Sequence, residues 1–261
     1  MLNQITNMST IRSIKNSQNT TFVTVLVTVL ILAAYLRLDG ISWDQGFSYS
    51  PHPDERAILM KVAEIDFPND NIQSLLNKDS SSWNPRWFAY GTFPIYLLNT
   101  VQSVIDPIAF EKPSNPRTAG RILSALADIG TVCGVALLGR RFFSPSVGLL
   151  ASVFTAFAVI HIQLAHFFTF DTFVTFFSVW TLFFLYKVAT SGNKKASLIS
   201  GSLIGLGIAS KFSVFVLIAP FLAAHLIFIL RETNNSSSIK PILRDTMYAG
   251  LIGISAGLVI F

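Results

Sequence analysis

Long apolar blocks, separated only by short polar turns, constrain this 261-residue chain more than any motif in it. Stretches near the ~20 residues that cross a bilayer run from Thr20 to Leu36, Thr118 to Leu138, Val147 to Ala165, Thr172 to Ala189, Ala196 to Ser210, Phe212 to Leu230 and Thr246 to Phe261. The blocks show no period of two or 3.6, so they read as helices solvated by lipid on every side. Only 13% of residues are charged, against about 25% in soluble domains, which excludes an ordinary soluble fold. The expectation is an all-α polytopic membrane protein with seven spans. Tyr35, Arg37 and Asp39 stand where the first stretch would need a small-residue cleavage site, so it reads as a permanent anchor. The last stretch stops in mid-helix at Phe261 with no flanking charge, which suggests a fragment of a longer protein.

Orientation follows from the short connections. Arg12, Lys15, Arg140, Arg141, Lys187, Lys194, Lys195, Arg231, Lys240 and Arg244 all fall on one side of a seven-span topology, and the positive-inside rule assigns that side to the cytoplasm. Counting Phe93 to Ile105 as a span would scatter these cations, so that stretch is expected at the interface, among the aromatics Trp83, Trp87, Phe88, Tyr90 and Tyr96. The domains expected are a cytoplasmic tail over 1–19, a first span over 20–38, an extracytoplasmic loop with interfacial helices over 39–117, and six further spans over 118–261. That loop holds ten of the 14 acidic residues: Asp39, Asp44, Asp54, Glu55, Glu64, Asp66, Asp70, Asp79, Asp106 and Glu111. The polar chemistry is thus concentrated outside, in a multi-pass protein of the plasma (inner) membrane.

Four features stand out. In Ser50-Pro51-His52-Pro53-Asp54-Glu55-Arg56, two prolines stiffen the backbone ahead of paired carboxylates. This reads as a helix start, with Pro53 in its first turn and the acids favoured by the helix dipole, and equally as a rigidly held general base. Asp171 emerges from a collar in which six of the 11 residues from Phe167 to Phe177 are Phe; it is either the cap of the fourth span or a functional acid near hydrocarbon. Arg121 and Asp128 lie two turns apart on one helix face with Ser124 between them, as a polar seam against another helix or, for Arg121, a functional cation. Lys211 is alone among charged residues between Ala196 and Leu230, a length that requires a turn there, and it either snorkels to lipid phosphate or binds one particular phosphate. Gly201, Gly205 and Gly207 read as ordinary helix-packing positions.

His52, His161 and His166 match no strong metal-ligand spacing, no phosphate-cradling nucleotide loop is present, and the lone Cys133 excludes a disulfide framework. No cofactor is expected, and a divalent metal stays open. The net charge of +5 argues nothing about nucleic acid, and no such partner is expected.

Taken in order, His52-Pro53-Asp54-Glu55-Arg56, Tyr90-Gly91-Thr92-Phe93-Pro94-Ile95-Tyr96-Leu97, Gly120-Arg121-Ile122-Leu123-Ser124-Ala125-Leu126, Gly139-Arg140-Arg141, His161 through Thr172, and Gly205 through Lys211 resemble the membrane glycosyltransferases of the GT-C superfamily. The resemblance is to bacterial members similar to dolichyl-phosphate-mannose protein mannosyltransferases (glycosyltransferase family 39) and to aminoarabinose transferase, and it spans roughly residues 20 to 230. It implies a GT-C-type bundle, a catalytic acid in the first external loop, carried onto Asp54 with Glu55 beside it, and a second acid after the third span, carried onto Asp171. The donor implied is a sugar on a polyprenyl phosphate. The expected chemistry is an inverting displacement with Asp54 as base and Arg121, Lys211 and Arg56 around the departing lipid phosphate, with His52 and His166 as further site residues. Membrane lipids are the other partners expected, and the acceptor may be protein, lipid or glycan.

Two rivals stay open: a secondary transporter, whose usual internal repeat and paired broken helices are not visible, and a non-catalytic glycan-binding membrane subunit. The topology itself is testable. Cysteines placed at Lys78 and Lys194 in a Cys133→Ala background should label from opposite sides of the membrane, and labelling of both from outside would overturn the span count.

Overall fold

The computed structural model describes residues 2–66, 81–87, 89–105, 115–232 and 236–259. Phe88, Lys78 and the loop acids Asp70, Asp79, Asp106 and Glu111 lie outside the described residues. The described chain is helical, with no strand: α1 (Leu2–Leu38), α2 (Pro53–Glu64), α3 (Phe93–Ile105), α4 (Pro116–Phe142), α5 (Pro145–Phe157), α6 (Val159–Ala165), α7 (Phe170–Ser191), α8 (Lys194–Ile208), a 3-10 turn (Phe212–Leu217), α9 (Ile218–Glu232) and α10 (Ser236–Leu258).

Local chemistry explains three of the helix starts. Asn115 accepts a hydrogen bond from the Arg117 N–H with Pro116 in the first turn, Ser144 does the same for Val147 with Pro145 behind it, and Asn193 caps Ala196. Such side chains satisfy amides that have no partner inside the helix. Among the described residues four helices are long and apolar enough to cross a membrane, Ser17–Leu38, Pro116–Phe142, Phe170–Ser191 and Phe212–Arg231, and a fifth arises if α5 and α6 count as one bent span. The chain is therefore an all-α polytopic membrane protein.

The remaining expected spans have a different form. The third is broken by 58° between α5 and α6. The fifth, α8, has only 15 residues, about 22 Å at ~1.5 Å per residue, short of the ~30 Å hydrocarbon thickness. It packs instead along α10, where a Cβ at Gly201 would meet the Gly250 carbonyl oxygen at 2.1 Å and one at Gly205 would meet the Gly257 Cα at 2.7 Å. Gly201 and Gly205 thus serve the close helix packing expected of them, while Gly207 faces the Val214 and Phe177 side chains.

The break at Ala158 involves neither Pro nor Gly. Arg37, fully buried near the end of α1, donates to the Ala156 carbonyl at 3.0 Å and the Thr155 carbonyl at 3.3 Å, both near the end of α5, and pairs through Nε with Asp128 of α4 at 2.6 Å. Carbonyls at a helix end run out of intrahelical donors and cannot go unsatisfied in an apolar medium; Thr155 also takes the Ala158 N–H at 3.4 Å, and the guanidinium supplies what the bend removes.

The two ends of the bundle differ. At one, Arg140 reaches Asn19 at 2.5 Å and the Phe22 ring, Arg141 covers Tyr186, and Lys194 pairs with Asp245 at 2.6 Å. At the other lie α2, α3 and the start of α7, whose apolar faces share one core containing Ile58, Val62, Ile95, Leu98, Phe168 and Phe173. Helix α3 has the bounds expected from the sequence.

The segment leading into α3 docks on the end of α8 through backbone alone: Gly91 N–H donates to the Ser210 carbonyl at 3.0 Å and Phe93 N–H to the Ala209 carbonyl at 2.9 Å. A Cβ on Gly91 would sit 1.9 Å from the Ala209 oxygen, so only glycine permits the approach. Gly91→Ala is expected to lower stability by about 1–3 kcal/mol, as overpacking does, measured by unfolding of the purified protein; an unchanged transition would show that the two segments are not held together.

Candidate functional site

Asp54 and Glu55 occupy the first turn of α2 behind Pro53, as expected of a helix start. Neighbours in sequence, they face opposite environments. Glu55 is fully buried: Arg121 holds it with Nε on Oε1 at 2.8 Å and Nη2 on Oε2 at 2.8 Å, the Phe168 N–H reaches Oε1 at 2.9 Å, and Ser50 donates its hydroxyl to Oε2. Asp54 is half-buried on the outer side of the same turn.

Arg121 is itself fully buried. Besides Glu55 it binds Asp44 with Nη1 on Oδ1 at 2.7 Å and Nη2 on Oδ2 at 2.8 Å, and donates to the Ile41 carbonyl at 2.9 Å. Arg117 adds a bond to Asp44 at 3.2 Å. The Trp43 and Phe167 rings lie 6.0 and 5.7 Å from the guanidinium carbon, within cation–π range. Two carboxylates and two guanidiniums balance in charge, and the fork geometry suits bidentate pairing. The hydrogen bond from Arg121 holds the Asp44 carboxyl below the usual carboxylate range, against the opposing effect of burial.

Both Glu55 oxygens have partners, so the residue anchors the loop. Every nitrogen of Arg121 is directed at Asp44, Glu55 or Ile41, so it ties the first loop to α4 and has no N–H turned toward a lipid phosphate. Asp44, which sequence reasoning passed over among ten loop acids, is part of this cluster; nothing in its local sequence distinguishes it.

Asp171 is the second residue of α7, Thr169 being the cap. Its Oδ1 accepts from Lys211 Nζ at 2.9 Å. That bond holds the Lys211 ammonium above its ordinary range, and the charges of Tyr90 and Asp54 act in the same direction. Lys211 also lies 5.5 Å from the Tyr90 ring centroid, and Tyr90 stacks against Phe170 at 4.6 Å. Asp54, Asp171, Lys211 and Tyr90 therefore share one neighbourhood, assembled from α2, α7, the end of α8 and the loop fixed by Gly91.

The remaining expected residues lie around it. Arg56 is exposed and covers the Tyr49 ring at 4.9 Å. His52 packs against Phe167 at 4.7 Å with its Nδ1 buried and unpartnered. His166 uses Nδ1 on the Ile162 carbonyl and Nε2 on the Asp39 carbonyl, each at 2.8 Å, which makes it a strap for the first loop. No group of three or more His, Cys, Asp or Glu able to hold a metal occurs among the described residues.

A bundle of apolar helices with a buried ionic clamp and a carboxylate–ammonium pair at one end is the architecture of a multi-pass membrane protein. The chain belongs to the dolichyl-phosphate-mannose-protein mannosyltransferase family, whose family model matches residues 111–259. The match covers Arg121, Asp128, Asp171 and Lys211 and does not reach Asp54. It identifies a membrane glycosyltransferase family that draws on polyprenyl-phosphate sugar donors. No curated protein sequence matches the chain.

Adjacent acids should behave oppositely on replacement. Glu55→Ala is expected to cost about 3–5 kcal/mol, the penalty for stranding a buried partner charge, while Asp54→Ala leaves unfolding nearly unchanged; equal losses would refute the clamp. With its pKa lowered in the folded state, Asp44 stabilises above the unfolded value near ~3.9 and loses that contribution as pH falls through its folded value. Acid unfolding of Asp44→Asn should lack this component.

Proposed function

We propose that this protein transfers a sugar from a polyprenyl phosphate to an acceptor hydroxyl, as the bacterial family 39 and aminoarabinose-type enzymes it resembles do, on the side of the membrane opposite the basic turns. The observation that carries the reading is that Asp171 holds the Lys211 ammonium at 2.9 Å beside the Tyr90 ring, within a chain matched to the mannosyltransferase family.

In the proposed reaction the acceptor oxygen attacks the anomeric carbon, its proton passes to the Asp54 carboxylate, and the bond from that carbon to the phosphate oxygen breaks. This single displacement inverts configuration and releases polyprenyl phosphate. The second negative charge that appears on the phosphate is met by Lys211, a cation already in place and protonated across the physiological range, which is where such preorganised charge is most effective. Arg56, exposed at the rim, is free to approach the same phosphate. Asp171 sets the ammonium's position, and Arg121 keeps α2, and with it Asp54, registered against α4. Outside the cytoplasm there is no supply of nucleotide sugars, so a lipid-borne donor is the chemistry that suits a site on that face.

Asp54→Asn is expected to reduce transfer by at least a hundredfold, in keeping with loss of a general base, with expression and unfolding preserved. Full transfer by that variant, assayed with a radiolabelled polyprenyl-phosphate sugar, would reject the assignment. Lys211→Gln should lower kcat more than it raises KM, because its charge is needed most as the phosphate departs.

A further inference from the structure

A cavity of about 340 Å³ opens between α4, α6 and α7, lined by Asp128, Ile160, His161, Leu164, Asp171, Thr172 and Thr175. Its polar wall is built with care. Arg37 donates to Asp128 Oδ2 at 2.6 Å, and the other oxygen of Asp128 takes His161 Nδ1 at 2.6 Å. A carboxylate accepts hydrogen bonds, so Nδ1 carries a proton toward Asp128 and Nε2 is the ring atom left to hydrogen-bond a ligand. The His161 side chain is 26% exposed, and its Nε2 has no protein partner among the described residues. Across the cavity Asp171 has committed Oδ1 to Lys211, which leaves Oδ2 as a second acceptor.

The chemistry of this wall selects its ligand. Each carboxylate of the wall is already paired, Asp128 with Arg37 and Asp171 with Lys211, so the cavity offers no uncompensated charge to an ion. Asp171 Oδ2 and His161 Nε2 call for a neutral molecule bearing hydroxyls. Ile160 and Leu164 supply an apolar surface for C–H groups. The volume lies at the small end of ligand sites, about 300–1,000 Å³, enough for one ring.

We propose that this cavity binds a single monosaccharide unit, one hydroxyl hydrogen-bonded to His161 Nε2 and another donating to Asp171. The inference rests on the reading of the chain as a sugar transferase and adds the place of a sugar ring. The ring belongs either to the lipid-borne donor or to a glycan acceptor; both present the same chemistry. Asp171 then serves twice, holding the ammonium with one oxygen and a sugar hydroxyl with the other. His161 is a substrate-contacting residue, while Asp128 and Arg37 position it.

The test uses the full chain in nanodiscs and a panel of methyl glycosides (mannoside, glucoside, galactoside), with affinity read by saturation-transfer NMR and by the shift in unfolding temperature. At least one glycoside should bind, and His161→Phe should weaken it tenfold or more while leaving the affinity for farnesyl phosphate unchanged. Because His161→Phe deprives Asp128 of a partner, Leu164→Trp, which fills the cavity without touching a charge, should give the same tenfold loss in a folded protein. In the transfer assay, a raised KM for lipid-linked sugar alone assigns the ring to the donor, and a raised KM for acceptor alone assigns it to the acceptor. Wild-type affinity in both variants, failure of every glycoside to bind at 100 mM on the order of weak-site concentrations, or competition by inorganic phosphate would overturn the proposal. Asp54→Asn separates the two readings: it should abolish transfer yet keep glycoside binding, and transfer surviving in it would count against the reaction without touching the cavity.

Discussion

A guanidinium with no water to hydrate it must be answered by the protein, and in this bundle that demand falls on Arg121. Asp44, Glu55 and the Ile41 carbonyl meet it from three places in the first loop and the start of α2. Burying three charges is costly, and such clusters contribute less to stability than their bond count suggests. What they provide is register: the bidentate contacts allow one relative placement of α2 against α4. Asp54 has that placement by being one residue away from Glu55, and the site inherits its geometry from a neighbour that does no chemistry.

The same division of labour recurs on the other side of the site. Lys211 follows a short helix whose end is pinned by two backbone bonds to the residues around Gly91, and Asp171 follows a cap that leaves its carboxylate free to turn toward the ammonium. Side chains proposed to meet substrate are held by backbone, by buried pairs or by each other. This is how a site between lipid-facing helices becomes stiff enough to orient a reaction.

The membrane class, the bounds of α3, the turn at Lys211 and the start of α2 were legible in the sequence because each rests on local chemistry: apolar length, aromatic flanks, proline at a helix start. The pairing of Lys211 with Asp171 was not, since the two residues are 40 positions apart and nothing in either segment encodes the other. The inward turn of Glu55 was hidden for a related reason. Asp-Glu in a helix's first turn satisfies the dipole whichever acid faces the core, and only the arrival of α4 decides it. Asp128 was readable as a polar seam, but its partners, Arg37 and His161, come from α1 and from a break that no Pro or Gly announces.

That break has a mechanical meaning. Because one guanidinium closes the end of α5 and also neutralises Asp128, straightening the bend would take the α5 carbonyls from Arg37 and His161 from Asp128. Helices α1, α4 and α5 are therefore latched at one point, and α6 is hinged from it. A tilt of α6 bears on the latch through His161 and Asp128 and reaches the first crossing through Arg37.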